Sequence, residues 1–398
     1  MLNILKKNGF EFLSYVLIVS LFFSKAIPNI ILAVLSLWIL IDFRRIQKPK
    51  LQFSSSNFLW TLVVFLILKS IFFGTIVHDL KVYKGLLLIF WLSIVFQRIK
   101  DKDRLKTVIL CSITLVVLIS LFLIALYYFK NNSLPFSNTA EVNQLLLLER
   151  PYIGFIAVLG VFLAIEKAVL NPSFKIIWFS NAIVLFLFII LISARISILT
   201  LFLLAAVYLV FYFRINKLKK TLILISLAIG FGVLVFTNKN ISERFFIKSN
   251  LSESLKTASD YEPRIVIWDC AFRMTKENNF NFLVGFDGYK TIEKYFSDCY
   301  SSNIENESKR EYFLSENFNS HNQFIDFYLI GGITALLLFA VFFIKLLNES
   351  RYNFFKAAIV VSFLLFFIVE NIFYRQFGCY LFGLFILILP HNKLNEEN

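Results

Sequence analysis

The chain has 398 residues, 58% of them hydrophobic and 49 of them Phe, with a mean hydropathy of +0.74. A soluble fold has no place to hide that much apolar surface, so a water-soluble enzyme or binding module is excluded. The 40 basic residues against 26 acidic ones would suit nucleic acid, but they recur in short clusters between apolar runs, which is a pattern of membrane topology.

Apolar runs of roughly 17 to 24 residues, long enough to cross hydrocarbon, predict an all-α polytopic transmembrane helical bundle. In chain order the spans cover 10–26, 29–43, 57–77, 84–97, 106–129, 152–170, 175–193, 196–213, 221–237, 323–346, 356–373 and 377–390, about twelve in all. The opening MLNILKKNGFEFLSYVL has the basic and apolar parts of a signal peptide. No small-residue cleavage site follows and the next helix comes at once, so it reads as a retained first span. Spans 1 and 2 form a hairpin turned by SKAIPN, while spans 4 and 12 are short. Ten or eleven crossings result if one short segment is re-entrant. Basic clusters at Lys6 and Lys7, at 44–50, 97–106 and 214–220, at Lys345, Arg351 and Lys356, and at Lys393 each follow an even number of spans. That places both termini in the cytoplasm.

Two polar regions interrupt the helices on the outer side, 130–151 and the much longer 238–322. The second is too long for a connector. Its pieces PRIVIWDCAFRMTK and GYKTIEKYFSDCYSS carry apolar residues at helical spacing, so a mostly helical extracytoplasmic cap is expected. The organisation is then 1–237 for spans 1 to 9, 238–322 for the cap, and 323–398 for spans 10 to 12 and a tail. Cys111 and Cys379 lie in spans as small apolar residues, whereas Cys270 and Cys299 share the outer loop. A disulfide there suits an oxidising compartment; two free thiols are the alternative, and the spacing does not decide. No Cys/His cluster has metal-ligand spacing, so no structural zinc is expected.

The ionisable residues near the spans are the candidates for chemistry. Arg195, in LISARISILTL, falls between spans 7 and 8 with almost no loop. It either snorkels to lipid phosphates or turns inward, where its planar fork grips an anionic group. Arg264 follows Pro263, which can open a helix, and Trp268 lies one turn on along the same face; Arg273 competes with it, and an ordinary surface arginine is the plain reading. His321 stands in SHNQFIDFYLIGGI at the mouth of span 10. It either caps an interface or transfers protons near neutral pH. Asn322 and Asp326 share a helix face beyond it, and Gly331 and Gly332 permit a close helix approach. Lys69 sits deep in span 3, while Glu370, Asn371 and Arg150 are positioned to line one outer cavity. Glu166 and Lys167 read as interfacial, and His78 and His391 as solvated.

This arrangement resembles the O-antigen ligase and O-antigen polymerase superfamily of bacterial envelope enzymes. Three separated motifs carry the likeness: Ser193-Ala194-Arg195 at an outer turn, PRIVIWDCAFRM followed by NNFNFLVGFDGY, and SHNQFIDFYLIGGI, with VENIFYRQFGCYLFGLF fitting the last two spans. The chain departs from the pattern in the alanine between Ser193 and Arg195, in Ile196 where glycine is common, and in a loop without the usual proline. The resemblance implies a metal-independent, inverting glycosyltransferase of the bacterial inner membrane, without cofactor, its site facing the periplasm. Its donor would be an undecaprenyl-pyrophosphate-linked glycan and its acceptor a lipid A–core-like lipid. Arg195 and Arg264 would steady the leaving pyrophosphate, with His321 as general base or as a further pyrophosphate ligand, and Arg150, Asn322, Lys69 and Glu370 as further substrate-binding residues. Polymerisation of lipid-linked repeats and protein O-glycosylation are alternatives within the same chemistry. A lipid-linked-oligosaccharide flippase is the rival from another class, although the chain has no internal repeat of the kind transporters carry. A noncatalytic scaffold is a third possibility and predicts that Arg195, Arg264 and His321 stay apart. Membrane lipids are expected partners and nucleic acid is not.

Overall fold

The computed structural model describes residues 2–41, 55–134, 139–237 and 262–388. The basic cluster at 44–50, the start of the outer loop at 238–261, and His391 and Lys393 lie outside the described residues. Among the described residues the chain is helical, apart from turns and an isolated β-bridge between Asn281 and Gly285.

Helices α1 (Leu2–Leu21) and α2 (Ile27–Ile41) make the expected hairpin. At its turn the Ser24 hydroxyl accepts from the amides of Ala26 and Ile27, each at 3.2 Å, and Pro28 occupies a first-turn position where its missing N–H costs nothing. Helices α3 (Ser56–Phe72) and α4 (Ile76–Phe96) follow. Span 4 is not short: residues 78–83, left between the spans expected at 57–77 and 84–97, belong to the opening turns of α4. Asp79 explains this. Its carboxylate accepts from Ser70 Oγ at 2.6 Å, Thr75 Oγ1 at 2.7 Å and the Tyr289 amide at 2.7 Å, so a buried acid at the helix start is fully partnered. His78 is exposed, as expected.

The long α5 (Lys102–Asn131) is capped by Asp101, which accepts from the Arg104 amide at 2.8 Å, and ends at Asn132 in the left-handed region. A short α6 (Thr139–Leu145) occupies the first polar region. Then come α7 (Arg150–Leu170), α8 (Lys175–Leu191), α9 (Arg195–Val207) with a π turn at Tyr208–Tyr212, and α10 (Lys217–Thr237). Helix α7 is the axis of the bundle: 83% of its most apolar stretch is buried inside the protein, against 22% for α8 and for α9 with its π turn. Glu166 and Lys167 are therefore not interfacial. Both are buried on α7 and reach α5, Glu166 gripping Lys106 Nζ with both oxygens at 2.7 and 2.8 Å and Lys167 meeting Asp103 at 2.9 Å. Exposed side chains such as Ile176, Phe179 and Leu187 on α8 give the bundle an apolar outer face.

The polar segment folds as α11 (Pro263–Met274), α12 (Tyr289–Asn303) and α13 (Glu307–Glu316), with Cys270 and Cys299 joined in a disulfide between α11 and α12. Phe296, Tyr300 and Phe313 pack between α12 and α13, and burial pushes the Tyr300 phenol up. The chain then enters α14 (Gln323–Ser350), α15 (Phe354–Val369), a 3-10 turn at Ile372–Tyr374, and α16 (Gln376–Phe382), which continues as a π turn over Gly383–Ile388. Phenylalanines weld these elements: Phe339 meets Phe343 edge-on at 5.0 Å and Phe367 at 5.4 Å, and Phe373 meets Phe382 at 5.0 Å.

Helix α14 is broken at Gly332, whose φ is 60°. The loop before α12 fills the break: the amides of Ile333 and Thr334 donate to the carbonyls of Phe282 and Leu283 at 2.9 and 3.3 Å, and the Phe286 amide donates to Leu329 O at 2.9 Å. Only glycine fits, because a Cβ at 332 would strike the Leu283 backbone. The expected helix approach holds for Gly331, which faces Phe65 and Leu66 of α3, whereas Gly332 admits a loop. Lys69 closes the same joint by donating to the carbonyls of Phe286 and Asp287. Among the described residues, five helical segments are long and apolar enough to cross a membrane, Lys102–Asn131, Arg150–Leu170, Pro172–Leu191, Arg195–Tyr212 and Gln323–Ser350, and shorter apolar helices accompany them.

Candidate active site

Five side chains from four parts of the chain meet where α9 and α11 begin, α15 ends and the loop before α14 turns. Ser193, at φ 51°, makes the left-handed turn that lets α9 start at Arg195. Arg195 Nη2 lies 2.5 Å from Glu262 Oε2, and Arg264 Nη1 lies 2.9 Å from Glu262 Oε1. Arg264 then reaches in the other direction, with Nη2 donating to Glu370 Oε1 and Nε to the Val369 carbonyl, both at 2.9 Å. Glu370 Oε2 faces His321 Nδ1 at 3.6 Å, an ion-pair separation and too long for a hydrogen bond. The row runs Arg195, Glu262, Arg264, Glu370, His321, alternating in charge up to the imidazole.

Exposure along this row decides what it presents. The side chains of Arg195, Arg264 and His321 are 32%, 24% and 20% exposed, against 14% and 7% for Glu262 and Glu370. The carboxylates lie deeper than the basic side chains, and each Arg264 nitrogen is engaged, Nε by the Val369 carbonyl, Nη1 by Glu262 and Nη2 by Glu370. Burial alone would push the Glu262 carboxyl up, but the guanidinium groups of Arg195 and Arg264 outweigh it and hold it below the usual carboxylate range.

A polar layer holds His321 in place. His321 itself takes φ 43°, its amide donates to Asn319 Oδ1 at 3.1 Å, and its ring leans on Phe318 with centroids 5.5 Å apart. Trp268 of α11 donates from Nε1 to the Ser320 carbonyl at 3.0 Å, fastening α11 to the histidine loop. Below, Asn371 donates to Ser320 Oγ at 2.9 Å, and the Tyr374 hydroxyl donates to Asp326 at 2.7 Å. Asp326 thus bonds inside the bundle, one of the two roles open to it from sequence.

Of the sequence candidates, Arg195, Arg264, His321 and Glu370 come together. Arg150 is buried at the start of α7, one turn before Gly154, whose missing side chain makes room for Ala194 and Ser197 at the start of α9. Asn322 spends its side-chain oxygen on the amides of Phe324 and Ile325 as the cap of α14, and Lys69 is committed to the loop at 286–287. Arg273 pairs with Asp269 and Asn303 on an exposed face. Glu262 escaped the sequence reading, although it stands directly before the Pro263 that opens α11 and two residues from Arg264. Among the described residues no three His, Cys, Asp or Glu side chains gather to ligate a metal ion.

Residues 180–340 match a family model described as O-antigen ligase, a stretch that contains Arg195, Glu262, Arg264 and His321. The match supports membership of that superfamily for the chain and marks it, with its apolar helices, as a membrane protein. No curated protein matches at a significant level.

Proposed function

From membership of the O-antigen ligase superfamily as the premise, we propose that this protein is an integral-membrane glycosyltransferase of ligase type. It moves a glycan from undecaprenyl pyrophosphate to a lipid A–core-like acceptor on the periplasmic side of the inner membrane, across a bundle of about twelve spans with both termini in the cytoplasm. The observation that carries the proposal is the row Arg195–Glu262–Arg264–Glu370–His321, with its cations outward and its carboxylates beneath.

Each member has a task. Breaking the bond from the anomeric carbon to the phosphate oxygen leaves an electron pair on pyrophosphate, and Arg195 and Arg264 face that developing charge with preset N–H donors. Glu262 keeps two like-charged guanidinium groups side by side and ready. The acceptor oxygen attacks the anomeric carbon from the opposite side, which inverts the centre, and its proton passes to His321. Glu370 faces Nδ1, so it favours the tautomer whose Nε2 accepts the proton and then steadies the imidazolium. The polar helices α11 to α13 act as a cap that arranges the sugar. In transporters a broken helix lines the substrate path; here the break at Gly332 is plugged by the backbone of Phe282 and Leu283, which favours the enzyme over a flippase.

The test is transfer by purified protein in nanodiscs, given lipid-linked glycan, an added acceptor lipid and EDTA. Wild type is expected to label the acceptor, and Arg264→Lys and His321→Ala to lose about 10²- to 10³-fold in kcat while keeping a normal thermal transition. Lengthening of the lipid-linked glycan instead would make the protein a polymerase. Absence of any covalent transfer with authentic donor and acceptor would sink the enzyme reading.

A further inference from the structure

A cavity of about 600 Å³ lies beside the catalytic row but outside it. Its walls are the α1–α2 turn, the segment after α6, the start of α7 and the start of α16, all at the end of the bundle that carries the row. Phe22, Leu147 and Tyr380 make it apolar, while Lys25 and Arg375 bring two cations to it. Glu149 pairs with Arg375, whereas the Lys25 ammonium makes no ion pair among the described residues. Two cations against one carboxylate leave the site net positive within an apolar wall.

Tyr152 connects this cavity to the row. It lines the cavity, is 3% exposed, and its hydroxyl has no hydrogen-bond partner among the described residues. Such an orphan in a buried setting is costly and points to a polar atom that the site expects to receive. The ring lies beneath the Arg375 guanidinium at 5.1 Å and packs edge-on against Phe366 at 5.3 Å. Phe366 is one helical turn before Glu370, whose amide donates to the Phe366 carbonyl at 3.0 Å. The cavity thus approaches Glu370 through Tyr152 and Phe366, whereas Arg195 and Glu262 approach it from α9 and α11.

We propose that this cavity, walled by Phe22, Leu147, Tyr152, Arg375 and Tyr380, binds the phosphorylated lipid portion of the acceptor. The inference rests on the transfer reaction proposed above, in which two membrane-anchored substrates meet at His321 and cannot share one anion site. Acyl or prenyl chains fill the apolar wall, the phosphate meets Lys25 and Arg375, and Tyr152 donates its hydroxyl to a phosphate or sugar oxygen.

The experiment measures binding to the full chain in neutral-lipid nanodiscs by native mass spectrometry, with three probes: dioctanoyl phosphatidic acid, dioctanoyl glycerol and inorganic phosphate. The phosphatidic acid is expected to bind saturably, the glycerol at least about tenfold more weakly, and phosphate alone not measurably. Leu147 is 36% exposed, so Leu147→Trp fills the cavity without disturbing the core and should abolish binding. Tyr152→Phe should weaken binding roughly threefold to tenfold, and Leu187→Trp, on the exposed face of α8, should leave it intact. In the transfer assay Tyr152→Phe should raise the KM for acceptor and leave that for donor unchanged. Equal binding of the uncharged lipid, binding of phosphate alone, or phosphatidic acid retained in Leu147→Trp would overturn the proposal. A shift in donor KM instead would assign the cavity to the donor. Because binding is read without turnover, a cavity that holds the phosphorylated lipid in a protein that transfers nothing would fault the proposed reaction and not the site.

Discussion

Two clusters of charge sit at opposite ends of the bundle, and they are built differently. At the end that the proposed topology puts inside, Lys106 and Glu166 close on each other with side chains 9% and 8% exposed, and Lys167, equally hidden, meets Asp103. Three of these four ions are buried against their partners, and Asp103 alone reaches solvent, 68% exposed. At the end that topology puts outside, the carboxylates are nearly as hidden, but Arg195, Arg264 and His321 lie nearer the surface, 32%, 24% and 20% exposed. A closed pair neutralises itself and holds helices together; in the row the carboxylates are the deeper members and the basic side chains the more exposed ones. Burial of charge alone does not separate structure from function, and the proposed function rests on the way the row is layered.

Breaking the inner cluster should cost stability and little else. Lys106→Ala leaves Glu166 as an uncompensated buried charge and is expected to lower unfolding stability by about 3–5 kcal/mol, with transfer per folded molecule retained; a denaturant midpoint beside a single-turnover assay tests both halves. Arg264→Lys is the mirror image, because it leaves Glu262 and Glu370 a cation while removing the planar fork. It should remove about 2.7–4 kcal/mol of transition-state stabilisation, with only a modest change in melting. A variant that melts early and turns over normally would place Arg264 with the inner cluster.

Gly332→Ala probes the joint between loop and helix. The substitution strains a left-handed position and drives a Cβ into Leu283, so about 1–3 kcal/mol of local stability should be lost. Hydrogen exchange at Ile333 and Thr334 should rise before that of α7 does, and a uniform rise across the bundle would contradict the local role. The smallest effect is expected from acid. Glu262 is held below its ordinary value of 4.5, so it binds its proton more tightly unfolded than folded. Its contribution is complete above that ordinary value and is lost as the pH falls through the lower folded one. Glu262→Gln should remove this acid limb from the stability profile; a limb unchanged in the variant would assign it to another group.

Much of this was readable before the fold. Long apolar runs predict helices because only a self-satisfied backbone survives in hydrocarbon. Arg195 stood out at a turn with almost no loop, His321 at the mouth of an apolar helix, and Arg264 through the helix that Pro263 opens and the motif it belongs to. Glu262 did not, since a glutamate beside a proline in a polar loop looks solvated until two arginines arrive from other elements. Lys69 and Asn322 looked like ligands for the same reason that they are structural: a buried polar group needs a partner, and the sequence does not say whether that partner is a substrate, a loop carbonyl or a helix start.

Sequence alone established that the chain is helical and apolar enough for a membrane, because this depends on local hydropathy. Only the tertiary structure decided which helix is the axis. Helices α7 and α8 are nearly equal in hydropathy, yet most of one is buried in protein and most of the other is not. Lipid and protein interior are alike to an apolar side chain, so hydropathy cannot tell them apart, and packing at Gly154 and Gly160 on α7 settles the matter.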